Sequence, residues 1–109
     1  ALKELGAENV NYYIPIRDEG YGLNNEALKK IKDSGADLVI TVDCGITAFS
    51  EVEFANSINL PIIITDHHNL NGGRIPEALA VINPKRKENN FSFKFLAGVG
   101  TIFMVVISF

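Results

Sequence analysis

The chain has 109 residues, 47% of them hydrophobic, which is enough for one small domain with a real core. Its formal net charge of −3 excludes a basic module that grips nucleic acid by charge alone. The single Cys44 excludes an internal disulfide framework and fits a reducing compartment, so a cytoplasmic setting is expected; no stretch has the layout of a signal peptide.

Ala1 to Gly6 reads as the tail of a helix. Val10 to Ile14 is β-prone and ends at Pro15. A helix is predicted from Asn24 or Asn25 as N-cap through Leu28 and Ile31, with Lys29, Lys30 and Lys32 toward its C-terminal half, where cations suit the dipole, and Gly35 at C′. The strand Asp37 to Val42 follows. Thr47 is placed to cap the next helix, with Glu51 and Glu53 near its start and Val52, Ala55 and Ile58 on one face. Next come a strand from Pro61 to Thr65, a Gly72-Gly73 turn, and a short strand from Ala78 to Ile82 closed by Asn83-Pro84. Leu96 to Phe109 is almost wholly apolar but shorter than the roughly 18–20 residues of a membrane span, so a buried helix starting near Leu96 is expected. The chain starts without Met and stops inside that run, which reads as an internal piece of a longer protein.

The strands are continuous apolar runs, a pattern that belongs to strands covered on both faces of a parallel sheet. Strand–helix–strand order with short connections then implies a three-layer α/β/α sandwich with a mainly parallel sheet. With no repeat or linker, residues 1–109 are expected to be part of one domain.

The chemistry gathers where two strands stop. Asp43 ends one, a single helix intervenes, and Asp66-His67-His68 ends the next. Neighbouring parallel strands lie about 4.8 Å apart and open on the same edge, so these side chains can reach a common ion. Carboxylate oxygen and neutral imidazole nitrogen are ligands that Mn²⁺ and related ions accept. Gly45 permits a tight departure that keeps Asp43 unobstructed. The plainer alternative makes Asp43 a helix cap and the histidines a surface loop. Elsewhere, Cys44 reads as a small buried side chain rather than a nucleophile. Arg17 can meet a phosphate bidentately or pair with Asp18 or Glu19. Lys85 and Arg86 are either a DNA path or solvated cations. Gly98 and Gly100 suit close helix packing more than an anion site. Tyr12, Tyr13 and Tyr21 suit packing more than base stacking.

Asp66-His67-His68 resembles the signature of the DHH phosphoesterase superfamily, and Thr41-Val42-Asp43-Cys44-Gly45-Ile46 resembles its second motif. Tyr12-Tyr13-Ile14-Pro15 with Arg17, Gly20-Tyr21-Gly22-Leu23-Asn24, Ile82-Asn83-Pro84-Lys85-Arg86 and Leu96-Ala97-Gly98-Val99-Gly100 are similar to the RecJ branch, the single-strand-specific 5′→3′ DNA exonucleases. The resemblance implies phosphodiester hydrolysis by a metal-activated water in DNA repair and recombination. It implies two Mn²⁺ or Mg²⁺ ions, with Asp43 and His67 as ligands. Asp66 and His68 would orient the site and contact the scissile phosphate, and Arg17 and His68 would bind substrate. Single-stranded DNA is the implied partner, with a single-strand-binding protein and a helicase as further ones, and no membrane. The family's aspartate-rich first motif would precede Ala1, and a further metal-binding aspartate has no counterpart in the run to Phe109. The isolated chain is therefore expected to be inactive as a nuclease and to bind Mn²⁺ weakly. Two alternatives stay open: a relative acting on short oligonucleotides, cyclic dinucleotides or pyrophosphate, and a non-catalytic scaffold protein.

Overall fold

A computed structural model describes residues 2–4, 6–15 and 22–86. Arg17, Tyr21, Gly98, Gly100 and the helix expected from Leu96 lie outside the described residues. The elements, in order, are α1 (Asn25–Asp33), β1 (Val39–Val42), α2 (Phe49–Ser57), β2 (Ile62–Thr65) and β3 (Ala80–Ile82). The strands form one parallel sheet in the order β1-β2-β3, with Val42 opposite Thr65 and Thr65 opposite Ile82. This is the expected α/β fold with a parallel sheet.

α1 is bounded by local chemistry. Asn24 has extended backbone angles, and its side-chain oxygen accepts from the Ala27 N–H at 2.8 Å, which makes Asn24 the N-cap. At the other end Gly35 takes φ +94°. The Gly35 N–H donates to Lys32 O at 3.0 Å and the Ala36 N–H to Ile31 O at 3.4 Å, the paired bonds of a Schellman stop. α2 starts differently from expectation. Its N-cap is Ala48, with no side-chain bond, and Thr47 stands one residue too early. The chain is still turning there, and the Phe49 N–H donates to Thr47 O at 3.0 Å, so the threonine contributes its carbonyl and not its hydroxyl.

Both helices feed one core. Leu28 of α1 and Val52 and Ala55 of α2 are buried with Ile46, Leu60, Ile62, Ile64 and Val81, and Ile58 packs against the cluster. Ile62 and Ile64 share a face of the pleat, so among the described residues both helices cover that face. The opposite face carries Val42 and Ile82, which are exposed. Val10 to Ile14 forms no strand; Tyr12 is 90% exposed and Ile14 73%. β-propensity is mostly a preference for packing against a sheet, and among the described residues no strand pairs with this segment.

A parallel sheet puts every strand's carboxyl end on one edge. Asp43, Asp66 and Asn83 are each the first residue past a strand, so three polar side chains leave the sheet together. The capping assignment separates two neighbouring asparagines: Asn24→Ala should lower stability by about 1 kcal/mol, and Asn25→Ala by less than about 0.5. Urea denaturation of both variants checks this, and equal losses would refute the cap.

Candidate metal centre

The edge of β1 is shaped by a threonine pair. The Thr41 hydroxyl donates to Cys44 O at 2.7 Å and accepts from the Thr65 N–H at 3.3 Å, while the Thr65 hydroxyl donates to Thr41 O. These contacts tie the turn 43–45 to both strands. Within it Asp43 takes φ +65°, a left-handed conformation that costs a non-glycine residue roughly 1–2 kcal/mol. Its N–H donates to Thr65 O at 2.9 Å, extending the ladder one residue beyond β1. Gly45 follows at φ +110°, and a Cβ there would stand 3.2 Å from Thr41 Oγ1 and 3.3 Å from Ile64 side-chain carbons. The expected tight departure at Gly45 is therefore favoured by conformation first, with a crowded space beside it.

At the end of β2 the Asp66 side chain is 1% exposed. Its Oδ2 accepts from the Ile46 N–H at 3.0 Å. Its Oδ1 accepts from the N–H groups of His67 at 2.7 Å and His68 at 3.2 Å, and lies 2.6 Å from His68 Nδ1. Burial pushes the carboxyl upward in pKa, but the bonds from Ile46, the His68 ring and the His68 and His67 amides outweigh it, and the net shift is downward. Asp66 is thus a buried anion that clasps the loop after β1 to the loop after β2.

The clasp leaves two other side chains facing each other. His67 Nε2 lies 2.8 Å from Asp43 Oδ1, with the side chains 26% and 48% exposed. The His68 ring is tilted 41° to that of His67, with centroids 4.4 Å apart, and is about half exposed. Candidate ligand atoms of Asp43, Asp66, His67 and His68 all lie within 4.8 Å of one another. The donor set is an acid and an imidazole, suited to Mn²⁺ or a similar ion. Asp43 and His67 could hold it, because the Asp66 oxygens are already used by backbone and ring donors. Burial first, then the Asp66 and Asp43 charges, push the Cys44 thiol up in pKa, which argues against a nucleophile.

A family model described as "DHH family, N-terminal domain" matches residues 1–108. The chain belongs to the DHH family. It is 43% identical over 109 residues to the single-stranded-DNA-specific exonuclease RecJ of Escherichia coli K12, covering 99% of this chain and 19% of that protein. The RecJ of Bacillus subtilis 168 is 46% identical over 103 residues, covering 94% of this chain and 13% of that protein. The chain therefore spans less than a fifth of these curated relatives. A crystal structure of exonuclease RecJ bound to manganese superposes with a TM-score of 0.79 at 33% identity, over 96% of this chain and 26% of that one. A RecJ from Thermus thermophilus in complex with Mn²⁺ matches at a TM-score of 0.56 and 27% identity, over 72% of this chain and 12% of that one. The DHH and RecJ resemblance seen in the motifs agrees with each of these.

In this DHH chain the fold brings Asp43, Asp66, His67 and His68 together, as their spacing suggested. Of the two cations after Pro84, Arg86 has its guanidinium on backbone, donating to Val81 O at 2.7 Å; at Lys85 it is the backbone N–H that donates, to Asn83 Oδ1 at 2.8 Å. Thr41, Thr65 and Asn83 were not singled out from sequence as site residues. Their position at or just past strand ends is a signal for all three, and Thr41 and Asn83 also stand inside the motifs that carry the family resemblance. Among the described residues no helix is long and apolar enough to cross a membrane.

The downward shift at Asp66 has a definite sign in stability. A carboxyl held below its ordinary value of 3.8 stabilises the fold fully above that pH and loses its contribution as pH falls through the lower folded value. With metal chelated, Asp66→Asn should cost about 1–3 kcal/mol at pH 7, because the new amide meets the Ile46 N–H with a donor. The gap from the parent chain should narrow as pH drops below 3.8. Urea unfolding from pH 7 to pH 2 tests this, and a constant gap would contradict it.

Proposed function

We propose that this chain supplies part of the catalytic domain of a metal-dependent exonuclease that hydrolyses phosphodiester bonds in single-stranded DNA, with 5′→3′ polarity, in repair and recombination. The observation that carries the reading is the Asp43–His67 contact, 2.8 Å long, at the carboxyl edge of a parallel sheet in a DHH chain. The names of the RecJ relatives and their manganese-bound structures support it.

In this reading Asp43 and His67 hold one or two Mn²⁺ or Mg²⁺ ions. Held there by Asp43 and His67, such ions would lower the pKa of a water molecule and shield the charge that gathers on the phosphoryl oxygens. Asp66 orients the histidine pair through the His67 and His68 amides and the His68 ring. His68 has Nδ1 on Asp66, which leaves the exposed Nε2 to face the scissile phosphate. Arg17 binds a substrate phosphate. Asp43 and His67 fill only two positions of the octahedral set such ions prefer, so the isolated chain hydrolyses no DNA and binds Mn²⁺ weakly. A single-strand-binding protein and a helicase are proposed partners, in the cytoplasm.

The test uses the complete protein that carries this chain. Asp43→Ala should abolish hydrolysis of long single strands while single-strand binding stays largely intact, since binding draws mainly on phosphate contacts elsewhere. Normal cleavage by that variant would refute the role of Asp43. Faster turnover of dinucleotides than of long strands by the unaltered protein would refute the substrate.

A further inference from the structure

Asn83 is the third polar residue at the sheet edge, and its side chain points into the protein. It is 1% exposed, and a buried amide is costly unless its donor and acceptor both find partners. Here both do. Nδ2 donates to His68 O at 3.0 Å, and Oδ1 accepts from the Lys85 N–H at 2.8 Å. The Arg86 N–H closes the same turn on Asn83 O at 3.2 Å. One residue earlier the Asp66 N–H donates to Ile82 O at 3.0 Å.

The segment 66–68 is therefore held at both ends by the exit of β3. Asp66 is fixed at the front by its N–H and its carboxylate. His68 is fixed at the back by the Asn83 amide, and His67 lies between. Loss of the second hold leaves the loop tied through Asp66, by the His67 and His68 amides and the His68 ring, and the ring between the two holds is the one 2.8 Å from Asp43. We infer that Asn83 is a positioning residue: by holding His68 O it keeps His67 against Asp43 and thereby sets the affinity of that pair for a divalent cation. The affinity part rests on the metal-site reading proposed above; the placement of His67 does not.

Two variants separate the contacts of Asn83. Asn83→Asp keeps an acceptor for the Lys85 N–H but turns a carboxylate oxygen toward His68 O, and Asn83→Ala removes both contacts. Val52→Ala, in the buried face of α2, is the control for general loosening of the core. The first readout is metal-free: the imidazole nitrogen shifts of His67 by NMR. Both Asn83 variants should displace the Nε2 signal, and Val52→Ala should leave it in place. The second, in the complete protein that carries this chain, is the dissociation constant for Mn²⁺ alone, read from amide broadening around Asp43 and His67. It should rise about tenfold or more in the Asn83 variants and stay unchanged in the control. Unmoved His67 signals in Asn83→Ala, or an equal shift in Val52→Ala, would overturn the positioning role. Displaced His67 signals with no Mn²⁺ broadening in the complete protein that carries this chain, Asn83 intact, would uphold the placement and overturn the affinity claim together with the metal reading.

Discussion

A carboxylate removed from water must find its hydrogen bonds inside the protein, and Asp66 finds four. An ionised carboxylate offers about four lone-pair positions, and here they meet the amides of Ile46, His67 and His68 and one ring nitrogen. Bonds to a charged group contribute roughly 1.5–3 kcal/mol each, whereas an uncompensated buried charge costs several. The satisfied state is favoured only while the loops after β1 and β2 stay where they are. A single side chain thus converts the requirement to solvate one charge into the relative placement of two loops.

The sheet makes this economical. Parallel pairing aligns the strand exits, so the residue past β1 and the residues past β2 start as neighbours before any side chain acts. The Thr41 and Thr65 hydroxyls then hold the turn in which Asp43 adopts its left-handed backbone, and Gly45 lets the chain leave at a positive φ through a space where a Cβ would crowd Thr41 and Ile64. Strain of this kind persists where surrounding contacts over-determine it, as the ladder bond from Asp43 to Thr65 and the threonine clasp do here. The outcome is an acid and an imidazole in contact, half-open to solvent, on a rigid base.

Much of this was legible in the sequence because it is written in local pattern. Apolar runs that stop at an acid marked β1 and β2, Asn24 and Gly35 marked the ends of α1, and the order of elements implied the parallel sheet. The failures have physical causes. Val10 to Ile14 has strand-like residues, but propensity cannot supply a pairing neighbour. Thr47 has the right side chain for a cap but sits inside a turn that delays the helix by one residue. The Asp-His-His motif could be read from its letters, yet the division of labour within it could not. That division depends on the burial of Asp66 and on its bond to Ile46, twenty positions away in sequence. The Asn83 contact with His68 spans fifteen positions and is invisible for the same reason.

The chain's DHH membership and its likeness to manganese-bound RecJ structures give the motif a chemical setting, and the proposed division of parts within it starts from the geometry. The central claim is that Asp66 builds the site without touching the ion, while Asp43 and His67 ligate it. A crystal of the complete protein that carries this chain, soaked in Mn²⁺ and measured at a wavelength where manganese scatters anomalously, tests that claim most directly. The expected result is an anomalous peak within bonding distance of an Asp43 oxygen and of His67 Nε2, with both Asp66 oxygens still on their amide and ring partners. A peak ligated by Asp66, or one that leaves Asp43 and His67 uncoordinated, would contradict it.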